Sequence, residues 1–324
     1  MKIIGIFCGG YSSEFEISIK SATTIQQNFP SNWKTYKIII SRESWNAQVD
    51  EKLIPFDINT MSFIEDNIVV KIDGALIYTH GDPGENGKVA ALLDIHQIPY
   101  LNSSVLSSAI SFDKWFCNQF LKSFNIPVAK SILITDKSNI DKSKIIQSVG
   151  LPLIVKPTDS GSSFGVSKVN SIDEFDKSIE FAFNEGKSVV IEEFLNGREV
   201  TCGVYRTKSG LVSLPLTEIV SENEILDYEA KYLGRSKDFT PAPIPDNIAD
   251  KIQNQSKYIY DLMKLKSIIR IDFMLCEDEV YVIEINTTPG FSPQSVVPEM
   301  LKFAGIPLNK FWSDIIECEW DYKI

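Results

Sequence analysis

The sequence of 324 residues contains few of the residues that bind transition metals or form disulfides. It has only two histidines, which argues against a histidine-rich zinc site. Its cysteines are scattered, odd in number and never spaced as Cys-x-x-Cys; they are Cys8, Cys117, Cys202, Cys276 and Cys318. This usage is typical of a reduced protein, so we expect a cytoplasmic location.

Long hydrophobic runs and an excess of basic residues are also missing. No apolar stretch approaches the length of about 18 residues that suggests a membrane-spanning helix. The first predicted strand, KIIGIF, is not preceded by the basic and then apolar segment of a secretion signal. The net charge of −11 argues against general nucleic-acid binding. We therefore expect neither a membrane nor a nucleic-acid partner.

The first part of the chain alternates strand and helix patterns. The segments with strand character are KIIGIFCGG, TYKIII and GALIYTH, and those with helical spacing are EFEISIKSATTIQQNF and KVAALLDIHQI. This alternation predicts an α/β fold that begins with a parallel sheet covered by helices. The glycines after the first strand lack the G-x-G-x-x-G spacing, which favours a tight turn over a dinucleotide site.

From about residue 104 the pattern changes, and the predicted strands pair with shorter connections. We predict one helix over SSAISFDKWFCNQFLKSFN, strands at LPLIVKP and KSVVIEEFL, and an antiparallel pair formed by TCGVYR and LVSLPLTEIV. A helix over 246–266, strands around IIRIDFML and VYVIEINT, and a last helix follow. Residues 225–244 are charged and aromatic without a core pattern, which is typical of a lid over a binding site.

The segment VIEINTTPG has the pattern of a buried strand but carries two polar side chains. Glu284 and Asn286 are two residues apart, so both project from one face of an extended chain. Asp272, in the neighbouring predicted strand, adds a second carboxylate. Carboxylate and amide oxygens are ligands that Mg²⁺ prefers. The alternatives are a buried hydrogen-bond network, or an edge strand whose polar face contacts water.

The segment TDSGSSFGVSKV follows a predicted strand that ends in Lys156 and Pro157. Glycines and serines expose N–H groups and hydroxyls that can surround phosphate oxygens, and Lys156 would add a cation. The segment is not a Walker A motif, and taken alone it is more typical of a flexible hairpin than of a phosphate-binding loop.

Eight motifs in a fixed order resemble those of the D-alanine–D-alanine ligase family within the ATP-grasp superfamily. They are GGYSSEFEIS, HGDPGENG, SAISFDK, IVKPTDSGSSFGVSKV, VIEEFLNGRE, DYEAKY, RIDF and EINTTPGFSPQSVVP. The resemblance implies an N-terminal Rossmann-like parallel-sheet domain followed by a two-lobed ATP-grasp fold. The implied boundaries are 1–103 for the first domain, 104–196 for the central lobe and 197–324 for the C-terminal lobe, with the lid at 225–244.

The resemblance also implies which residues bind ATP and metal. The phosphates of ATP would be contacted by Lys114, Lys156 and the loop around Ser163. The adenine would be contacted by Glu192 and by the backbone of Phe194 and Leu195, and the ribose by Glu199. Two Mg²⁺ or Mn²⁺ ions would be held by Asp272, Glu284 and Asn286.

The remaining positions correspond to the two D-alanine substrates. Glu14 would bind the ammonium of the first D-alanine, in a hydrogen-bonded group with Ser162 and Tyr232, and His80 and Glu85 would line that position. Lys231 and Ser295 would hold the carboxylate of the second D-alanine. Arg270 and the N–H of Gly290 would form the oxyanion site.

The function implied by the resemblance is ATP-dependent ligation of two D-alanines through an acyl phosphate, for peptidoglycan precursor synthesis, by a homodimer. A related ligase that uses D-lactate or D-serine as the second substrate is the nearest alternative. Another alternative is a nucleotide-binding protein that has lost catalysis, although Asp272, Glu284, Asn286 and Arg270 are all present. An NAD-dependent oxidoreductase is less consistent with the sequence, because the fingerprint glycines are missing.

Overall fold

The computed structural model describes residues 1–161, 164–221 and 236–320. Its first sheet has strands in the order β4-β3-β2-β1-β7-β8. The strands are β1 (Lys2–Gly9), β2 (Trp33–Ile40), β3 (Trp45–Val49), β4 (Lys52–Pro55), β7 (Gly74–Ile77) and β8 (Tyr100–Leu101). Helices α1 (Phe15–Asn28) and α2 (Lys88–Ile95) cover it.

The prediction of a parallel first sheet is confirmed for β2, β1 and β7, and β8 adds to it in parallel. Strands β3 and β4, which were not predicted, pair in antiparallel fashion at the edge. A separate hairpin, β5 (Ser62–Glu65) and β6 (Ile68–Lys71), was also not predicted. Its turn residues Asp66 and Asn67 both have positive φ, as a tight hairpin turn requires. Strands β4 and β6 are largely exposed, so they lack the apolar pattern on which a sequence-based prediction depends.

The second sheet is antiparallel, in the order β11-β10-β12-β9. Its strands are β9 (Ser131–Ile134), β10 (Leu153–Pro157), β11 (Ser167–Val169) and β12 (Val189–Glu193). Helices α5 (Lys142–Val149) and α6 (Phe175–Glu185) pack on it around a separate hydrophobic core.

The third sheet is also antiparallel, in the order β16-β15-β13-β17-β18, with β14 paired to β13. Its strands are β13 (Arg198–Thr207), β14 (Gly210–Ser213), β15 (Thr217–Ser221), β16 (Ser236–Phe239), β17 (Ile269–Cys276) and β18 (Glu279–Asn286). The predicted antiparallel pair is thus confirmed, although LVSLPLTEIV forms two strands, β14 and β15, rather than one.

Three helices pack on the third sheet: α7 (Asp246–Leu262), α8 (Val296–Phe303) and α9 (Leu308–Glu319). In α7, Ile248, Ile252 and Ile259 repeat at helical spacing and are buried against one face of the sheet. Helix α9 packs against β13 and α1, and its core includes residues of β1 and β7. The last helix therefore ties the first sheet to the third.

The single helix predicted over residues 107–125 is wrong, because the structure has two: α3 (Val105–Phe112) and α4 (Lys114–Ser123). Asp113 lies between them with extended ψ, and its carboxylate accepts hydrogen bonds from the N–H groups of Trp115 and Phe116. An aspartate that caps a helix in this way competes with helix continuation at its own position. The break makes Lys114 the first residue of α4.

The helix predicted over 246–266 ends at Leu262, because Lys264 has a positive φ of 52°. Across the three described ranges, every helix is too short or too polar to span a bilayer. The strands of the three sheets fall within 1–103, 104–196 and 197–324 respectively, while the domain boundaries themselves stay a prediction.

Candidate active site

A cleft of about 800 Å³ lies where the three sheets meet, and it collects the predicted site residues. Every predicted site residue that the structure describes lines this cleft: Glu14, His80, Glu85, Lys114, Lys156, Glu192, Phe194, Leu195, Glu199, Arg270, Asp272, Glu284, Asn286, Gly290 and Ser295. The other predicted residues, Ser162, Ser163, Lys231 and Tyr232, lie outside the described residues. Residues far apart in the sequence therefore share one site.

Strands β17 and β18 place four polar side chains on one face of the third sheet. The strands pair with Arg270 opposite Asn286 and Asp272 opposite Glu284. The register shifts after Asp272, which leaves Ile283 as the extra residue of a β-bulge. Residues two apart on one strand share a face, and so do directly opposed residues on neighbouring strands.

The Asp272 carboxylate is buried and accepts hydrogen bonds on both oxygens. Arg270 donates from Nε to Oδ1 and from a terminal nitrogen to Oδ2, each at 2.7 Å. Thr201 donates to Oδ1 at 2.6 Å, and the Asn286 amide donates to Oδ2 at 3.0 Å. Burial opposes the charge of Arg270, but the Asp272 carboxylate raises the pKa of Arg270 above its ordinary value. The guanidinium group therefore stays protonated.

Asp272, Glu284 and Asn286 fit a magnesium ion by the chemistry of their donor atoms. They offer two carboxylates and, since the nitrogen of Asn286 donates to Asp272, one amide oxygen. In the described part of the chain, no group of three or more His, Cys, Asp or Glu side chains is arranged to bind a metal by itself. Magnesium held by one or two carboxylates together with nucleotide phosphates needs no such group.

Two lysines enter the cleft from β10 and α4. The buried Lys156 ammonium lies 2.7 Å from a carboxylate oxygen of Glu192 in the neighbouring strand β12. Asn118 of α4 donates to the other oxygen of Glu192 at 2.8 Å. The Lys114 ammonium donates to the carbonyl oxygen of Ser160 at 2.5 Å. These contacts hold two cations at one side of the cleft, which suits a polyanion such as a nucleotide phosphate chain.

Residues 194–197 connect β12 to β13 and so link the second sheet to the third. The ring of Phe194 lies 4.2 Å from the Lys168 ammonium, and its N–H donates to the Pro152 carbonyl at 3.4 Å. Glu199 follows in β13, opposite Met274 of β17. An apolar strip with an adjacent carboxylate can accept a flat ring and a hydroxylated sugar.

Three titratable side chains enter the cleft from the first sheet. Glu14 immediately precedes α1, and the loop after β7 carries His80 and Glu85. The N–H of Gly81 donates to Glu85 at 2.7 Å, yet burial and then the neighbouring Glu14 raise the pKa of Glu85 to about 8. Burial lowers the pKa of His80, against the opposing effect of Glu14. The three groups form an acidic end of the cleft.

The turn after β18 closes the cleft on the side of Arg270. Tyr78 donates its hydroxyl to the carbonyl of Pro289 at 2.8 Å, and this anchors the turn to the first sheet. A Cβ atom at Gly290 would lie 2.9 Å from Oγ of Ser295, so a side chain at this position would displace the Ser295 hydroxyl. Ser295 accepts a hydrogen bond from the N–H of Ser292 at 3.0 Å and immediately precedes α8.

Two buried residues that support the site, Asn118 and Thr201, are not indicated by any sequence motif. Asn118 lies one helical turn after Lys114, and Thr201 lies two residues after Glu199 on the same face of β13. These spacings place each residue beside a predicted site residue, but a buried amide or hydroxyl has no sequence signal of its own.

Comparison with known proteins assigns nearly the whole chain. Residues 3–103 match the family described as "D-ala D-ala ligase N-terminus", and residues 120–317 match "D-ala D-ala ligase C-terminus". A D-alanine–D-alanine ligase of Azobacteroides pseudotrichonymphae is 43% identical over 322 residues, covering 98% of this chain and 99% of the relative.

Solved structures agree in fold. The D-Ala:D-Ser ligase VanG of Enterococcus faecalis has a TM-score of 0.86 at 29% identity, covering 97% of this chain and 98% of that one. The D-alanine–D-alanine ligase of Bacillus anthracis, solved in complex with ATP, has a TM-score of 0.79 at 26% identity, covering 100% of this chain and 99% of that one. Both similarities extend over the three sheets that form the cleft.

Proposed function

The chain belongs to the D-alanine–D-alanine ligase family, and we infer that it is an ATP-dependent ligase that joins two D-alanines into D-alanyl-D-alanine for peptidoglycan precursor synthesis. This inference depends on one observation, the set of residues that line a single cleft. Two lysines, a paired set of oxygen ligands, a buried arginine and an acidic end lie around the same space. Such a set suits the transfer of a phosphoryl group to a carboxylate, followed by attack of an amine.

The proposed reaction begins with the carboxylate of the first D-alanine. This carboxylate attacks the γ-phosphorus of ATP, and ADP leaves with the bridging oxygen and its electron pair. The product is an acyl phosphate, whose carbonyl carbon is open to the amine of the second D-alanine. The ammonium of the second D-alanine first loses a proton, and attack of the resulting amine gives a tetrahedral intermediate. This intermediate expels inorganic phosphate, which takes the second nitrogen proton as the peptide bond forms.

Lys114 and Lys156 support the first step in this proposal, because cations at fixed positions offset the charge on the transferring phosphoryl oxygens. The second sheet and α4 hold both ammonium groups in place. Glu192, Phe194, Leu195 and Glu199 would hold the adenine and ribose, and Ser163 would help to bind the phosphates. Asp272, Glu284 and Asn286 would hold Mg²⁺ or Mn²⁺, and the metal ion, when bound, would offset further negative charge on the phosphates.

Arg270 supports the second step, in which negative charge develops on the carbonyl oxygen. Its bonds to Asp272 use two of the five guanidinium N–H groups, so it can bind a further oxygen without breaking this pair. The N–H of Gly290 would be the second donor. Loss of one donor of this kind typically reduces the rate by roughly 10²–10³.

Glu14, Glu85 and His80 would form the position of the first D-alanine, whose ammonium fits an acidic end of the cleft. Ser295 would bind the carboxylate of the second D-alanine together with Lys231, while Ser162 and Tyr232 would complete the hydrogen-bonded group at Glu14. In our proposal residues 225–244 act as a lid that excludes water from the acyl phosphate. We further propose a cytoplasmic homodimer with domains 1–103, 104–196 and 197–324.

The function is tested by incubating the protein with ATP and Mg²⁺, with and without D-alanine, while phosphate release and product mass are measured. We expect phosphate release that requires D-alanine, with D-alanyl-D-alanine as the product. D-Serine and D-lactate, each mixed with D-alanine, test the alternative acceptors. ATP hydrolysis that is independent of D-alanine, or a product without two D-alanine residues, would contradict the inference.

A further inference from the structure

We propose that Thr201 is a positioning residue that fixes the Asp272 carboxylate in the orientation needed for the metal site. The proposal rests on the assignment of Asp272 as a metal ligand. Thr201 lies on β13 directly opposite Asp272 of β17, and it is completely buried. It does not line the cleft, so it would act through Asp272 rather than on ATP or D-alanine.

The Asp272 carboxylate must contact two partners, Arg270 and the metal ion. Its oxygens pair with the guanidinium group of Arg270, and one of them must also face the metal ion beside Glu284. A carboxylate can rotate about its last side-chain torsion, because rotation about a bond to a planar group is broad. Without a further constraint, a shift of Arg270 toward the reacting oxygen would carry the carboxylate with it.

The Thr201 hydroxyl supplies this constraint. It donates to Oδ1 of Asp272 at 2.6 Å, a short distance typical of a hydroxyl bonded to a charged carboxylate. A threonine side chain is restricted at its first torsion, and the antiparallel ladder between β13 and β17 fixes the backbone on both sides. The bond comes from a neutral group that neither binds substrate nor moves with Arg270. It therefore holds Oδ1 and leaves Oδ2 oriented toward the side of Asn286.

The sheet provides a matched control in the next strand. Thr217 of β15 lies directly opposite Thr201, and both residues are completely buried. The Thr217 hydroxyl bonds to the hydroxyl of Thr240 at 2.6 Å. Replacing either threonine by valine removes one buried hydroxyl from the same row and preserves the shape, but only Thr201→Val removes a hydrogen bond to Asp272.

The test measures metal binding without turnover. Mn²⁺ is titrated into protein that is saturated with a non-hydrolysable ATP analogue, and free Mn²⁺ is measured by electron paramagnetic resonance. The titration is made for the wild type, Thr201→Val, Thr201→Ser and Thr217→Val. We expect Thr201→Val to weaken Mn²⁺ binding about 10- to 100-fold, as loss of a partner behind a metal ligand does. Thr201→Ser keeps the hydroxyl and should stay within about threefold of wild type, like Thr217→Val.

Equal Mn²⁺ affinity of Thr201→Val and wild type would overturn the proposal, and so would equal weakening by Thr217→Val. If Thr201→Val fails to fold, Thr201→Ala replaces it in the comparison. Weaker Mn²⁺ binding by Thr201→Ala than by Thr201→Ser would then support the proposal, and equal binding would overturn it. Failure of the proposed function has a different signature: the wild type itself would form no D-alanyl-D-alanine. Active wild type with an unaffected Thr201→Val would refute only the role of Thr201.

Discussion

Replacement of Glu85 by glutamine should change how the stability of the protein depends on pH. Burial and then the neighbouring Glu14 raise the pKa of Glu85 from the ordinary 4.5 to about 8. The folded protein thus keeps a proton on Glu85 that the unfolded chain releases. Stability from this group is complete below pH 4.5 and is lost as the pH rises toward 8. Glutamine resembles the protonated acid and can still accept the bond from Gly81, so the variant should lack this loss.

The expected magnitude follows from the pKa difference. Each pH unit between the two pKa values changes the unfolding free energy by about 1.4 kcal/mol. Measurements should begin near pH 5.5, since the protein has an isoelectric point of about 4.9. Between pH 5.5 and 8, the unfolding free energy of Glu85→Gln should therefore gain about 3 kcal/mol relative to wild type.

Urea denaturation at four pH values in this interval measures the difference. Glu51→Gln, which removes an exposed carboxylate, controls for the loss of one negative charge. A difference between Glu85→Gln and wild type that stays constant with pH would refute the reasoning. It would mean that Glu85 is ionised at neutral pH in the folded protein, and that Glu14 and Glu85 carry two charges at the acidic end of the cleft.

Three further predictions concern the site. Glu284→Gln should abolish D-alanyl-D-alanine formation with cooperative unfolding retained, because it removes a charge that a metal ion needs; Glu279→Gln, exposed on the same strand, should keep wild-type turnover. Asn118→Leu should destabilise the protein by about 1–3 kcal/mol in thermal unfolding and weaken ATP binding, because a buried oxygen of Glu192 loses its donor; an unchanged melting temperature and ATP affinity would contradict this. Tyr232→Phe should increase the use of D-lactate relative to D-alanine in competition, and an unaltered product ratio would show that Tyr232 does not set acceptor choice.

The buried pair of Lys156 and Glu192 joins two residues with different predicted roles in ATP binding. The family resemblance implies that Lys156 contacts the phosphates and Glu192 the adenine, and the structure shows the two side chains in contact at 2.7 Å. Asn118 also bonds to Glu192, so the carboxylate has neutral and charged partners. A buried charge pair with an additional hydrogen bond satisfies its polar groups and orients both members. Both side chains can therefore face a nucleotide from fixed positions.

Local sequence patterns determined most of the secondary structure and one feature of the site. The order of the principal helices and strands follows from hydrophobic periodicity, and the strand period of two places Glu284 and Asn286 on one face. The ordered motifs also identified the family. The periodicity is local information, because it depends on residues within a few positions of one another.

Tertiary structure alone decided which residues meet. A strand pattern tells which side chains share a face but not which partner strand lies opposite, nor in which register. The pairing of β13, β17 and β18 brings Thr201, Asp272 and Glu284 into one row, with a bulge at Ile283 that no sequence pattern marks. The break at Asp113 depends on a cap that competes with a helical pattern continuing through it. The family could thus be recognised from the chain, while the support of its metal site depends on contacts between strands distant in sequence.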